Sequence, residues 1–233
     1  VAFGRSGAPD LDPVAHAWMR DVEWRAADVF DVDAWRDALD GADAVIHSIA
    51  TIQQDPTRNV TFDRVNGTSA IVAAEAAAEA EVDAFVFLSV RDKPPLVSGR
   101  FIAAKRRAER EIPQRFPNLR CVALRPNLVF GPGRTGSSTV AALLRQVQPW
   151  TRLNDAARAG RPLPVELVAA CALHAATTAT VSGTLSVDDI EAIGRTSGLV
   201  GRDELSEPSL TPLLLGLGGA ALGGWLVQRA LRR

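Results

Sequence analysis

The chain has 233 residues, 47% of them hydrophobic and 23% charged, with a net charge of −1. These values exclude global disorder, a collagen-like repeat, a disulfide scaffold and a protein that coats nucleic acid. Tyr is absent altogether, so no phenol serves as acid or nucleophile. The length suits one α/β domain with an appendage.

Cys121 and Cys171 make no disulfide framework and read as small buried hydrophobes. The chain opens on Val1 rather than Met. The expectation is either a removed leader or an incomplete N-terminus, and no secretory or transit peptide is visible in these residues.

Val1 to Phe3 reads as a strand end, stopped by the turn Gly4-Arg5-Ser6-Gly7-Ala8-Pro9. A helical patch over Val14 to Met19 leads to the strand Val22-Glu23-Trp24. Asp28 to Asp33 is a loop, with Asp33 as N-cap of a helix over Ala34–Leu39 that Gly41 closes. Ala44-Val45-Ile46 is a strand, and Asn66 precedes an Ala-rich helix over Ser69–Glu81. Phe85 to Val90 is a continuous apolar run, as expected of a parallel strand covered on both faces.

Ser98 precedes a helix over Arg100–Ile112, which Pro113 and Pro117 stop. Cys121 to Arg125 is the next strand, then a Gly/Pro-rich loop over Pro126–Ser138 and a helix over Thr139–Val147. A helix over Glu166–Ala176, a strand over Gly183–Val187 and a short helix from Asp188 follow. Strands alternating with helices predict an α/β fold, a doubly wound parallel sheet. Ligands of such sheets sit at the carboxyl ends of the strands. Arg5, Asp28, Ser48, Ser89 and Arg125 occupy those positions.

Residues 208–228 carry no charge. As a helix they would span roughly 31 Å, enough to cross a bilayer. Gly219 and Gly223 form a small-xxx-small pair, and Arg229, Arg232 and Arg233 would anchor the end. The other reading of this tail is a buried or disordered Gly-rich segment. The expected division is a domain over 1–195, a linker over 196–207 and a hydrophobic membrane helix with a basic end over 208–233.

Several stretches together resemble the extended short-chain dehydrogenase/reductase family, a Rossmann-fold family, in its atypical branch. They are the Gly4–Pro9 turn, Trp35-Arg36-Asp37-Ala38-Leu39-Asp40-Gly41-Ala42-Asp43-Ala44-Val45-Ile46-His47, Val65-Asn66-Gly67-Thr68 and Arg125-Pro126-Asn127-Leu128-Val129-Phe130-Gly131-Pro132-Gly133. Arg161 to Ala169 and Val187-Asp188-Asp189-Ile190 add to the set. The resemblance covers roughly residues 1–195. That branch includes an accessory subunit of respiratory complex I and a protein of coenzyme Q biosynthesis.

The chain departs from the family pattern in two places. The opening strand and its G-x-x-G-x-x-G phosphate loop are missing, since Val1 aligns near the second strand. Gly4 and Gly7 have only a G-x-x-G spacing. The family's catalytic Tyr-x-x-x-Lys pair falls on Phe101 and Lys105. Phe keeps the ring but has no proton to transfer. Lys105 could still hold a ribose hydroxyl, or be a solvated member of the basic run Lys105-Arg106-Arg107.

The resemblance thus implies a non-catalytic accessory subunit of an organellar membrane complex, with respiratory complex I as the leading case. The expected location is the mitochondrial inner membrane, with a plastid membrane as the alternative. Expected partners are other subunits and, through residues 208–228, the lipid bilayer, with no nucleic acid. The degenerate pair Phe101 and Lys105, with a vestigial Ser89, stands where catalysis would be. Arg5, Ser6, Asp28, Ser48 and Lys105 are the vestigial cofactor positions. No cofactor is expected, unless the N-terminus is incomplete. In that case NADP(H) is implied, in an atypical reductase or assembly factor of quinone biosynthesis.

No metal is expected. His16, His47 and His174 lie far apart, and Cys171 with His174 supplies only two ligands. Asp188-Asp189 reads as a helix start rather than a carboxylate dyad. Ser137-Ser138 lies in no nucleophile elbow.

Overall fold

The computed structural model describes residues 1–10, 17–92, 97–131 and 160–207. His16, Ser137-Ser138, the helix expected over Thr139–Val147 and the tail 208–233 lie outside them. The chain divides into two compact units, Val1–Leu124 with Ala175–Thr184, and Arg125–His174 with Leu185–Arg233. This boundary falls inside the region read from sequence as one domain.

The first unit holds strands β1 (Ala2–Gly4), β2 (Trp24–Ala26), β3 (Ala44–His47), β4 (Ala84–Leu88) and β5 (Arg120–Leu124). It also holds helices α1 (Ser69–Glu79) and α2 (Gly99–Arg115). β1 and β2 pair in parallel as a two-stranded sheet. β3, β4 and β5 pair in parallel, and a later strand at Gly183–Leu185 completes the order β3-β4-β5-β8. This is the parallel α/β, Rossmann-like arrangement that the alternation predicts. β4 is buried on both faces, as its unbroken apolar run requires.

One apolar cluster joins α1 to the sheets. Phe85, Phe87, Ala70, Ala74, Ala77, Ala108 and Ile112 form it with Trp35 and Leu39, and Ala27, Val29 and Val45 pack at its margin. The alanines of α1 keep this helix thin enough to lie close on both the strands and α2.

Several local expectations change. The segment before Gly41 is not one helix. It is two 3-10 turns, Val32–Ala34 and Arg36–Leu39, broken at Trp35, where φ is −142°. Trp35 leaves the helical path because its ring is seated in the core. Asp33 is therefore no N-cap, and it pairs with Arg36 instead. Asn66 does not precede its helix but lies fully buried inside a π-helical turn, Arg64–Thr68, that runs into α1. Pro113 sits inside α2 rather than ending it. It forgoes one amide donor in the last turn, and Phe116 N–H closes the helix on Ile112 O at 2.9 Å.

The second unit holds β6 (Val129–Phe130) paired in parallel with β7 (Leu163–Pro164), most of α3 (Val165–Thr177), and α4 (Val187–Thr196). The strand before α4 ends at Leu185, and Val187 already belongs to the helix. Its cap is Ser186, not Asp188, and Asp189 completes a capping box. Arg161 reaches Asp188 at 2.6 Å and Glu191 at 2.5 Å. The stretch 196–207, expected as a linker, makes a side-chain contact back to this unit. Ser206 is hydrogen-bonded through its amide and its hydroxyl to Glu166 at the start of α3.

Candidate functional site

The site expected at the strand tips is built in the first unit by β3, β4 and α2. Ser98 caps α2 by accepting the Arg100 amide. This fixes the helix phase, so Phe101 and Lys105, four residues apart, face the sheet together. Both are buried, at 4% and 2% exposure. The reading of Lys105 as a solvated member of a basic run does not hold.

Lys105 Nζ donates to Leu88 O at 2.7 Å, at the carboxyl end of β4, and stands 4.8 Å over the Phe87 ring. Burial pulls its pKa down to about 8, against a smaller upward pull from Glu109. The ammonium is thus held at the strand tips by a carbonyl and an aromatic face. Phe101 lies in a small apolar cluster with Phe62 and Val90, its ring edge-on to Phe62.

Ser89 serves the loop that follows it. Its hydroxyl accepts from Arg106 at 3.3 Å, and Arg106 also holds Arg91 O at 2.7 Å and Glu109 at 2.6 Å. The basic run is therefore structural throughout. Arg107 bonds Thr68 at 2.8 Å and pairs with Asp63 at 3.2 Å.

Sequence reasoning singled out neither His47 nor Asn66 as site residues, yet both are buried here. His47 Nε2 lies 3.2 Å from Ser69 Oγ, and Ser69 donates its own hydrogen to Val65 O at 2.6 Å. Ser69 must then accept from His47, which places the ring hydrogen on Nε2 and leaves Nδ1 a bare lone pair. Among the described residues Nδ1 has no hydrogen-bond partner. Burial, then the Lys105 charge, push the His47 pKa down to about 3, so the ring is neutral. Asn66 pairs with both backbone groups of Thr51, at 2.9 and 3.0 Å, and pins the loop after β3. The Val-Asn-Gly-Thr motif was the available signal for Asn66. His47 carried none beyond its place at a strand end.

Arg5 and Ser6 lie exposed on the turn after β1, and Ser48 lies exposed after β3. Among the described residues no hydrogen bond or ion pair joins Arg5, Ser6, Asp28 or Ser48 to Lys105. The glycine turn closes on itself. Gly7 N–H is spent on Gly4 O at 3.0 Å, and Ala27 N–H takes the same oxygen at 3.1 Å. Gly7 has φ +78°, which explains its residue type. Asp28 spends its carboxylate on the Phe30 amide at 3.0 Å. No helix starts at this turn before Asp10. The described residues of this turn therefore do not fit the pyrophosphate of a nicotinamide dinucleotide. Among them no three His, Cys, Asp or Glu side chains gather as a metal ion would need.

Comparison with known proteins agrees with this architecture. The chain is 30% identical over 167 residues to "Uncharacterized protein At1g32220, chloroplastic" of Arabidopsis thaliana, covering 70% of this chain and 53% of that protein. It is 25% identical over 179 residues to "MIOREX complex component 2" of Saccharomyces cerevisiae, covering 58% of this chain and 65% of that protein. The chain thus spans between half and two thirds of these relatives. Among solved structures, a UDP-N-acetylglucosamine 4-epimerase from Bacillus cereus superposes with a TM-score of 0.51 at 19% identity, over 77% of this chain and 70% of that one. This last likeness speaks for the fold alone. The profile of the NAD dependent epimerase/dehydratase family matches residues 8–156. The parallel sheets and that match agree, and the chain belongs to the NAD-dependent epimerase/dehydratase family.

Proposed function

We propose that this chain is a non-catalytic member of its family that serves as an accessory component of an organellar protein complex. The observation that carries the reading is Phe101. It stands four residues before a buried Lys105, packed on Phe62 and without a transferable proton. The lysine keeps its place at the strand tip, but the acid that such a lysine would tune has been replaced by hydrocarbon.

The names of the relatives support an organellar complex. One is described as chloroplastic and the other as a complex component. The uncharged residues 208–228 are the proposed membrane anchor. They lie outside the described residues, among which no helix is long and apolar enough to cross a membrane. The proposed location is the mitochondrial inner membrane, and respiratory complex I is the assembly to examine first.

The test is native electrophoresis of detergent-solubilised organelles, with the chain detected by antibody. We expect comigration with a large assembly. Recovery as a free monomer, released from membranes by carbonate, overturns the reading. Hydride transfer by the purified native protein overturns its non-catalytic part.

A further inference from the structure

Asn66-Gly67 is the only Asn-Gly pair in the chain. Two separate packing demands put it there. Asn66 is fully buried and spends both ends of its carboxamide on Thr51, accepting the amide at 2.9 Å and donating to the carbonyl at 3.0 Å. This grip needs a donor and an acceptor on one flat group, which a carboxylate does not offer. Gly67 passes α2 so closely that a Cβ would stand 2.9 Å from Ala104 O.

The pair so selected is chemically labile. The carboxamide of an asparagine is open to attack by the backbone nitrogen of the next residue, and glycine has no side chain to shield that nitrogen. In the fold the attack is blocked. Asn66 and Gly67 both lie in the π-helical turn Arg64–Thr68, and the carboxamide faces Thr51 rather than its own main chain. Ser69 braces the same turn through its hydroxyl bond to Val65 O at 2.6 Å.

We propose that Asn66 is a conditional deamidation site, sealed while the π-helical turn is closed and reactive when it opens. In the open turn hydroxide takes the proton of the Gly67 amide, and that nitrogen bonds to Asn66 Cγ. The bond from Cγ to Nδ2 breaks. Nδ2 leaves as ammonia, taking a proton from water and so restoring the hydroxide. Water then adds to one of the two carbonyls of the succinimide ring. The ring opens to an aspartate or an isoaspartate, with no change of oxidation state.

The product does not close again. An aspartate leaves Thr51 O without its donor and brings a charge to a fully buried position. An isoaspartate adds a methylene to the main chain within the turn. Each opening that reacts is therefore made permanent. The loop that carries the exposed Ile49 and Ile52 loses its tether, and α1 loses the turn that leads into it. This inference does not rest on the non-catalytic reading, which stands on Phe101.

The test incubates the native protein at neutral pH and follows the acid formed at Asn66 by digestion and mass spectrometry. A synthetic peptide spanning residues 61–71 runs alongside. We expect deamidation in the protein to be at least about 10-fold slower than in the peptide, and to quicken in urea below the unfolding midpoint as the open fraction grows. Equal rates in protein and peptide overturn the seal. A rate in the protein that urea leaves unchanged overturns the gating by opening. Asn66→Asp reproduces one product, and it should lower the urea midpoint and speed proteolysis between Ile49 and Gln54. A variant that fails to fold supports the permanent step as well, whereas an unchanged midpoint overturns it.

Discussion

The ring of Phe101 meets the ring of Phe62 edge-on, with centroids 6.0 Å apart and planes at 82°. This contact ties α2 to the segment that enters α1. It places an aromatic ring where the family resemblance implies a proton donor. Phe101→Ala should cost about 3–5 kcal/mol, since a buried aromatic side chain leaves a cavity. Urea denaturation checks this, with the midpoint lowered and the slope unchanged.

His47 gives the protein an acid limit. Its pKa is near 3 when folded and near 6.5 when unfolded. Between those values the unfolded chain binds a proton that the folded chain refuses, so stability falls as pH drops from about 6.5 toward 3. Each unit of difference is worth roughly 1.4 kcal/mol. His47→Leu should flatten this limb while leaving stability above pH 7 less affected. Urea midpoints measured at intervals from pH 7 to 4 in both proteins decide the matter.

Lys105 acts at the other end of the scale. Its folded pKa lies near 8, below the 10.5 of an unfolded lysine. From pH 8 to 10.5 the unfolded chain holds the extra proton, so this residue makes stability rise with pH across that window. Lys105→Met should remove the rise. A slope that persists in the variant, in denaturation curves from pH 7.5 to 10, would assign it to another group.

Gly67 sits where the π-helical turn crosses α2. A Cβ there would lie 2.9 Å from Ala104 O and 3.1 Å from an Arg107 nitrogen. The arginine can move, but the carbonyl of a helix cannot. Gly67→Ala should therefore destabilise by about 1–3 kcal/mol despite its better helix propensity. Thermal unfolding measures this directly.

Arg120 on β5 binds three carbonyls, Ala175 and Val181 through one nitrogen and Ala176 through the other, at 2.7–2.9 Å. Two of the three, Ala175 and Ala176, lie in the last turn of α3, where carbonyls lack helical partners. Arg120→Met should cost about 2–3 kcal/mol, and Arg120→Lys should recover only part, because an ammonium lacks the planar fork. Comparing the two variants by urea denaturation separates hydrogen bonding from charge.

Much of the fold was legible because its strongest signals are local. β4 announces itself by an apolar run that only a doubly covered strand can use, and Ser98 marks the start of α2 by a chemistry confined to a few residues. Phe101 and Lys105 were readable as a pair because helix spacing puts them on one face. What escaped depends on tertiary contact. The π-helical turn at Asn66 exists because its amide must reach Thr51, fifteen residues earlier. Trp35 breaks its helix because of what it packs against. Lys105 had two readings, a pair member able to hold a ribose hydroxyl or a solvated cation of the basic run, and only the fold shows it buried.

The grip of Asn66 on Thr51 has a mechanical consequence. A side chain that matches both groups of a backbone unit behaves like a stitch between two strands of cloth. A tug on the exposed Ile49 or Ile52 would travel through that stitch into the π-helical turn and on along α1, rather than dissipate in slack chain.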